Sequence, residues 1–216
     1  MRKFLLMTAA LAALPFAAAA QTNTALTSFE FQRFHMSGIA FGPGKFNYEG
    51  LRHDMTGRYD MGVQWDSTLR VGDIEGFALR SAEFDVRYLW SGLVGPQASF
   101  EYASIGGTSA DRIMLGIAGA YSLNHGTSFS GALVSDVDNF GHDARLTLDI
   151  NHDFGNDVSL FGGVMADRIG GTTARGIHVG ARYNLGSNAY ISGQVEYDRM
   201  RGMSARGASI GVGFNF

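Results

Sequence analysis

The 216-residue chain has no cysteine, which excludes a disulfide-stapled scaffold and a thiolate metal site. Charge is scarce: Asp, Glu, Lys and Arg make up 17% of the residues, below the roughly 25% usual in soluble domains. Lysine is rarest, with Lys45 the one example beyond Lys3. Past residue 20, no apolar run approaches the roughly twenty residues that a membrane-spanning helix needs. There is no metal-ligand spacing, phosphate-binding loop or basic patch for nucleic acid, so no metal, cofactor or nucleic-acid partner is expected. Glycine is plentiful instead, with 30 residues, about twice its average share.

The first twenty residues carry an export signature. Arg2 and Lys3 form a charged start, Phe4 to Phe16 an apolar core, and Ala17 to Ala20 a small-residue cleavage site. The expected division is a cleaved signal peptide at 1–20 and one domain at 21–216. No cysteine follows the cleavage site, so lipid anchoring there is not expected.

Beyond it, short segments of alternating apolar and polar residues recur at intervals of roughly sixteen residues, separated by Gly, Asn, Asp and Ser clusters, as hairpins do. The final stretch is among the clearest. Ala208, Ile210, Val212, Phe214 and Phe216 share one face, with Ser209, Gly211, Gly213 and Asn215 on the other. Similar stripes occur near Leu51–Gly62, around Trp65–Val71, Ala82–Trp90 and Ala144–Phe154, and in several weaker segments. The count is about twelve, or ten if an uncertain pair merges.

Two architectures fit such alternation: a β-sandwich and a membrane barrel. Connection length favours the barrel. Short linkers at Gly62-Val63, Gly92–Gly95, Asn124–Gly126, Gly155–Asp157 and Gly186–Asn188 alternate with longer or more polar ones at Gly38–Gly50, Gly106–Ala110, Val137–His142, Ile169–Ala174 and Met200–Ala205. Aromatic placement favours it too. Tyr59, Trp65, Trp90, Tyr121, Phe129, Phe154, Tyr183 and Phe216 sit on the apolar face at the short-turn ends, as a periplasmic interfacial girdle would. Phe77, Tyr102 and Tyr197 mark the opposite level more sparsely. The expected fold is all-β, a transmembrane antiparallel up-and-down barrel.

The signal peptide and the ending Ile210-x-Val212-x-Phe214-x-Phe216 resemble those of Gram-negative outer-membrane β-barrel proteins. That resemblance implies residence in the outer membrane. It also implies that Ile210, Val212, Phe214 and Phe216 form the signal read by the barrel-assembly machinery, which would be a partner during biogenesis.

If the polar faces point inward, the lumen receives Arg52, Arg58, Arg70, Arg87, Arg112, Arg145 and Arg182. It also receives Asp54, Asp60, Asp66, Glu83, Asp85, Glu101, Asp149, Asp153, Glu196 and Asp198, together with Glu30, Asp136 and Asp167. Carboxylates exceed guanidiniums, so a narrow diffusion channel for small solutes, mildly preferring cations, is expected. The alternative is a non-conducting structural or surface-binding barrel whose charges pair and fill the interior. Gly116, Ala118, Ala120, Gly163, Gly180, Gly211 and Gly213 would leave space along one wall, unless arginines opposite fill it.

An outer-membrane enzyme is the weaker alternative. His178, Ser192 and Ser209 face inward on neighbouring segments, but nothing orders them into a catalytic triad, so no catalytic residues are expected. His53 and His152 fall on the outward face near strand ends. Arg168, Arg175, Arg199, Arg201 and Arg206 gather near the last two longer linkers. There they would bind lipopolysaccharide phosphates, screen the pore mouth, or simply be solvated. Outer-membrane lipid, lipopolysaccharide and small solutes are the other expected partners.

Overall fold

The computed structural model describes residues 24–40, 44–59, 62–74, 76–123, 126–155 and 157–216. The expected signal peptide, Asp60, and parts of the linkers near residues 42 and 124 lie outside them.

Twelve strands run in chain order: β1 (Thr24–Ala40), β2 (Gly44–Tyr59), β3 (Val63–Ile74), β4 (Phe77–Tyr88), β5 (Val94–Ile105), β6 (Thr108–Ser122), β7 (Thr127–Asp136), β8 (Ala144–Asp153), β9 (Val158–Ile169), β10 (Thr172–Asn184), β11 (Ala189–Met200) and β12 (Met203–Asn215). Each pairs antiparallel with its neighbours in sequence, and β1 pairs with β12 to close the barrel. The closing register sets Phe31 opposite Val212 and Phe29 opposite Phe214. Closure leaves no unpaired edge, so every strand finds backbone partners on both sides.

With twelve strands, the start of β1 and the end of β12 lie at the same rim, here termed the terminal end; the opposite rim is the far end. Four terminal-end turns repeat one closure. Trp90, Leu123, Phe154 and Leu185 each donate their backbone N–H to the carbonyl four residues on, at 2.8, 2.9, 3.0 and 2.7 Å.

The far end corrects the expectation of longer loops there. Two residues connect β5 to β6 (Gly106-Gly107), β9 to β10 (Gly170-Gly171) and β11 to β12 (Arg201-Gly202). Both glycines of the first two turns have positive φ (56° and 92°; 55° and 79°), the pairing that a type I′ hairpin requires. The polar residues that read as loop are strand instead, because backbone pairing continues past the end of the apolar stripe. Among the described residues, 137–143 is the one long far-end connection. It is tied to both sides: Val137 N–H donates to the Ile113 carbonyl at 2.9 Å, and Gly170 N–H to Asp143 Oδ1 at 2.9 Å.

The side chains sort by parity as the alternation requires. Ile113, Leu115, Ile117, Leu146, Leu148, Ile150, Val195 and Ile210 are all exposed on the outside, while Glu30, Gln32, Ser99 and Asp167 are buried within. A protein with this surface in water would present an apolar patch far larger than the few hundred Å² that soluble monomers tolerate. Phe77 departs from its expected face: it pairs with Ile74 on the inward parity at the far rim.

Candidate functional site

The inward residues of twelve strands meet in one lumen, and its middle is crossed by ion pairs. Arg112 on β6 holds Glu101 on β5 at 2.7 Å and donates to Asp167 on β9 through Nη1 at 3.0 Å. Arg145 on β8 reaches Glu83 on β4 at 2.9 Å and Asp167 at 2.7 Å, and also contacts Glu101. Strands β4 and β8 are not neighbours, so the Arg145–Glu83 pair is a chord across the lumen. Two guanidiniums and three carboxylates therefore form one cluster, with the Asp167 side chain only 3% exposed. Arginine suits this position because its planar fork can meet two carboxylates at once.

On either side of the cluster lies open space. A cavity of about 320 Å³ on its terminal side is lined by Asp66, Asp85, Arg87, Ser130, Thr147 and Asp149, among others. A second cavity, of about 500 Å³, lies on the far side and is lined by residues including Thr68, Arg70, Ser81 and Asp136. Glu83 and Arg145 line both, so the cluster is the partition between them.

The other expected lumen charges form separate groups on the wall. Arg52 pairs with Asp54 at 2.8 Å, and Thr68 donates to Asp54 at 2.6 Å. Arg87 pairs with Asp66 at 2.9 Å and donates to Gln64 at 3.1 Å. Asp85 accepts from Gln97 at 3.1 Å and from Ser99. Arg182 lies 3.6 Å from Glu30, whose carboxylate also accepts from Gln32 at 2.8 Å, from the Tyr190 hydroxyl at 2.9 Å and from Ser192. Arg58 is exposed towards the terminal mouth, and Asp153 accepts the Gly155 N–H at 2.8 Å, capping a turn. Arg70, Glu196 and Asp198 are half-buried on inward positions of β3 and β11.

The histidine and serines proposed for the enzyme reading are not brought together. His178 approaches Asp149 at 3.6 Å, whereas Ser192 is bonded to Glu30. The outward histidines pack on aromatic rings: His53 between Phe29 and Phe31, at 4.5 and 4.7 Å, and His152 on Phe154 at 4.4 Å.

The small-residue wall is not open space. A Cβ at Gly213 would overlap the Tyr190 ring, one at Gly180 the Phe161 ring, and one at Gly163 the Asp149 carboxylate. Gly211 is covered by Gln32 and Glu30. The fillers come from adjacent strands, not from arginines opposite. The inward apolar residues Phe34, Tyr48, Met114, Val134, Phe161 and Met165 were not expected there. Strand phase was the available signal, since Met114 shares the parity of Arg112 and Gly116.

Of the aromatic girdle, Trp90, Tyr121, Phe129, Phe154, Tyr183 and Phe216 are exposed at the terminal end. Trp65 is different: its ring lies over Gly57 and is 8% exposed. Nothing is described of the Tyr59 side chain. Ile210, Val212, Phe214 and Phe216 form an exposed outward stripe on and beyond β12. Arg168, Arg175, Arg199 and Arg206 take outward positions on β9 to β12, and Arg201 sits in a turn. None of the four strand arginines points into the mouth.

The geometry is that of a closed, inside-out antiparallel barrel with a polar, partitioned lumen. Solved structures of this class superpose on it over most of their length. The KdgM porin in complex with disordered oligogalacturonate gives a TM-score of 0.60 at 12% identity, covering 88% of this chain and 99% of that one. The NanC porin gives 0.60 at 11% identity, with 89% and 100% covered. The translocator domain of the autotransporter NalP from Neisseria meningitidis gives 0.52 at 14% identity, with 97% and 98% covered. At these identities the likeness is one of fold. No family model and no curated protein sequence matches the chain.

Proposed function

We propose that this protein resides in the outer membrane, with its terminal end on the periplasmic side, and forms a narrow diffusion channel for small hydrophilic solutes. The carrying observation is the pair of lumen cavities that abut at Glu83 and Arg145. The side chains of Glu83 and Arg145 line both, and side chains can yield where a strand cannot. The outward apolar belt supports the membrane setting, and the fold shared with KdgM and NanC supports the class. Carboxylates outnumber guanidiniums on the inward face, which supports a mild preference for cations. The same excess disfavours polyanions such as the oligogalacturonate of the KdgM complex.

Single-channel recording in planar bilayers tests this reading. Stepwise conductance is expected from the wild type, with a reversal potential of cation-preferring sign in a KCl gradient. Arg145→Ala should raise unit conductance about twofold or more, since it removes the side chain that crosses the lumen. A folded wild type and a folded Arg145→Ala variant that are both silent would instead establish the filled, structural barrel. An anion-preferring potential would overturn the charge argument alone.

A further inference from the structure

On the outside of β9 to β12, just beyond the apolar belt at the far end, the wall carries arginine and no carboxylate. Arg168, Arg175, Arg199 and Arg206 occupy outward positions on four successive strands, all exposed, and no Asp or Glu shares that face. None of the four is ion-paired among the described residues. Arg175 and Arg199 are direct cross-strand partners. Like charges placed opposite one another cost stability, so an intrinsic account of this pairing is lacking. The next strand adds Arg206, whose guanidinium lies 5.9 Å over the Tyr197 ring.

Directly beneath is a groove of about 530 Å³, lined by Ile177, Val179, Val195, Tyr197 and Arg206, with His178, Glu196 and Gly207, at inward positions of the same strands, bordering it. Its floor is apolar and faces outward: Ile177 is 48%, Val179 54% and Val195 60% exposed. The groove runs from the arginines into the belt, and Arg206 belongs to both. Cationic forks above an apolar trough match a molecule with phosphate at one end and hydrocarbon at the other.

We propose that this face is a binding site for a phosphorylated lipid of the outer leaflet, of the lipopolysaccharide type. Its phosphates bridge Arg175, Arg199 and Arg206, and an acyl chain lies in the groove over Val179 and Val195. A phosphate between Arg175 and Arg199 turns a repulsive pair into two charge-assisted contacts. The site depends on the outer-membrane reading but not on conduction.

Detergent-solubilised full-length protein, stripped of lipid, is offered phosphorylated lipid A, the same lipid after phosphate removal, or inorganic phosphate, and bound ligand is measured by native mass spectrometry. The wild type should retain phosphorylated lipid A and release the dephosphorylated form. The triple variant Arg175→Gln, Arg199→Gln, Arg206→Gln should lose at least about tenfold in affinity, a difference that charge-assisted contacts readily supply. Val195→Trp, which fills the groove and leaves the arginines in place, should also weaken lipid binding while sparing any binding of inorganic phosphate. Wild-type lipid binding in the triple variant would overturn the site. Inorganic phosphate that displaces the lipid fully at equal concentration, with Val195→Trp unaffected, would overturn the lipid assignment and leave a plain anion site. Conductance of the same variants reports separately on the channel, so failure of one reading is distinguishable from failure of the other.

Discussion

Glu30 shows what a single residue contributes to this barrel. It is 6% exposed on β1, yet its bonded partners Tyr190 and Ser192 stand on β11, across the whole of β12. The carboxylate thus reaches over the closing strand and ties together its two neighbours. Tyr190→Phe keeps the ring on Gly213 and loses one hydrogen bond to a charged acceptor, so it should lower unfolding stability by about 1–3 kcal/mol. Tyr190→Ala removes the ring as well and should cost about 3–5 kcal/mol. Urea titration of Trp fluorescence in detergent would order the two, and equal losses would show that the ring contributes nothing. That Glu30, Arg182 and Ser192 face inward was legible from alternation with a period of two. That Arg145 reaches Glu83 was not, because a chord across a barrel depends on how many strands close it, and no local pattern encodes that.

At the scale of elements, the abundant glycine has a physical explanation. Phe34 faces Gly50, Phe161 faces Gly180, Tyr190 faces Gly213 and Trp65 faces Gly57, each pair in direct cross-strand register. At Gly57, Gly180 and Gly213 the ring lies where a Cβ would stand, and at Gly50 the Phe34 ring and the Val71 carbonyl both crowd that place, so the glycine acts as a seat for the neighbouring aromatic. Gly213→Val should displace Tyr190 and destabilise the fold by about 1–3 kcal/mol. Adding Tyr190→Ala to it should cost less than the two single changes summed, and a double-mutant cycle reads that coupling. Full additivity would mean that ring and glycine do not share the space. Strand existence and phase were readable from the sequence for nearly every element, but strand ends were not. Residues such as Ser204, Ala205, Thr173 and Ala174 carry no apolar stripe, and they stay in strand because their partners across the ladder hold them there.

For the whole molecule, polarity runs from inside to outside in the reverse of the soluble order. A closed barrel of this kind resists detergent until heated, so the unboiled mature protein should migrate differently from the boiled form on a detergent gel. Co-migration, with the protein in the soluble fraction, would defeat the membrane reading altogether. The sequence supplied the class through scarce lysine, the aromatic level and the count of stripes. It misplaced the longer connections, because it took a fading stripe for the end of a strand.

In the proposed orientation, the short far-end turns bear on how the protein meets the world outside the cell. Four of those connections are two residues each, and the longest described, 137–143, is fastened to the hairpins on both sides. An antibody, a phage tail or a protease arriving from that side would find few free segments to grip among the described residues. In its proposed orientation, the described far end shows its surroundings short backbone turns, the arginine face of β9 to β12 and the mouth of the lumen.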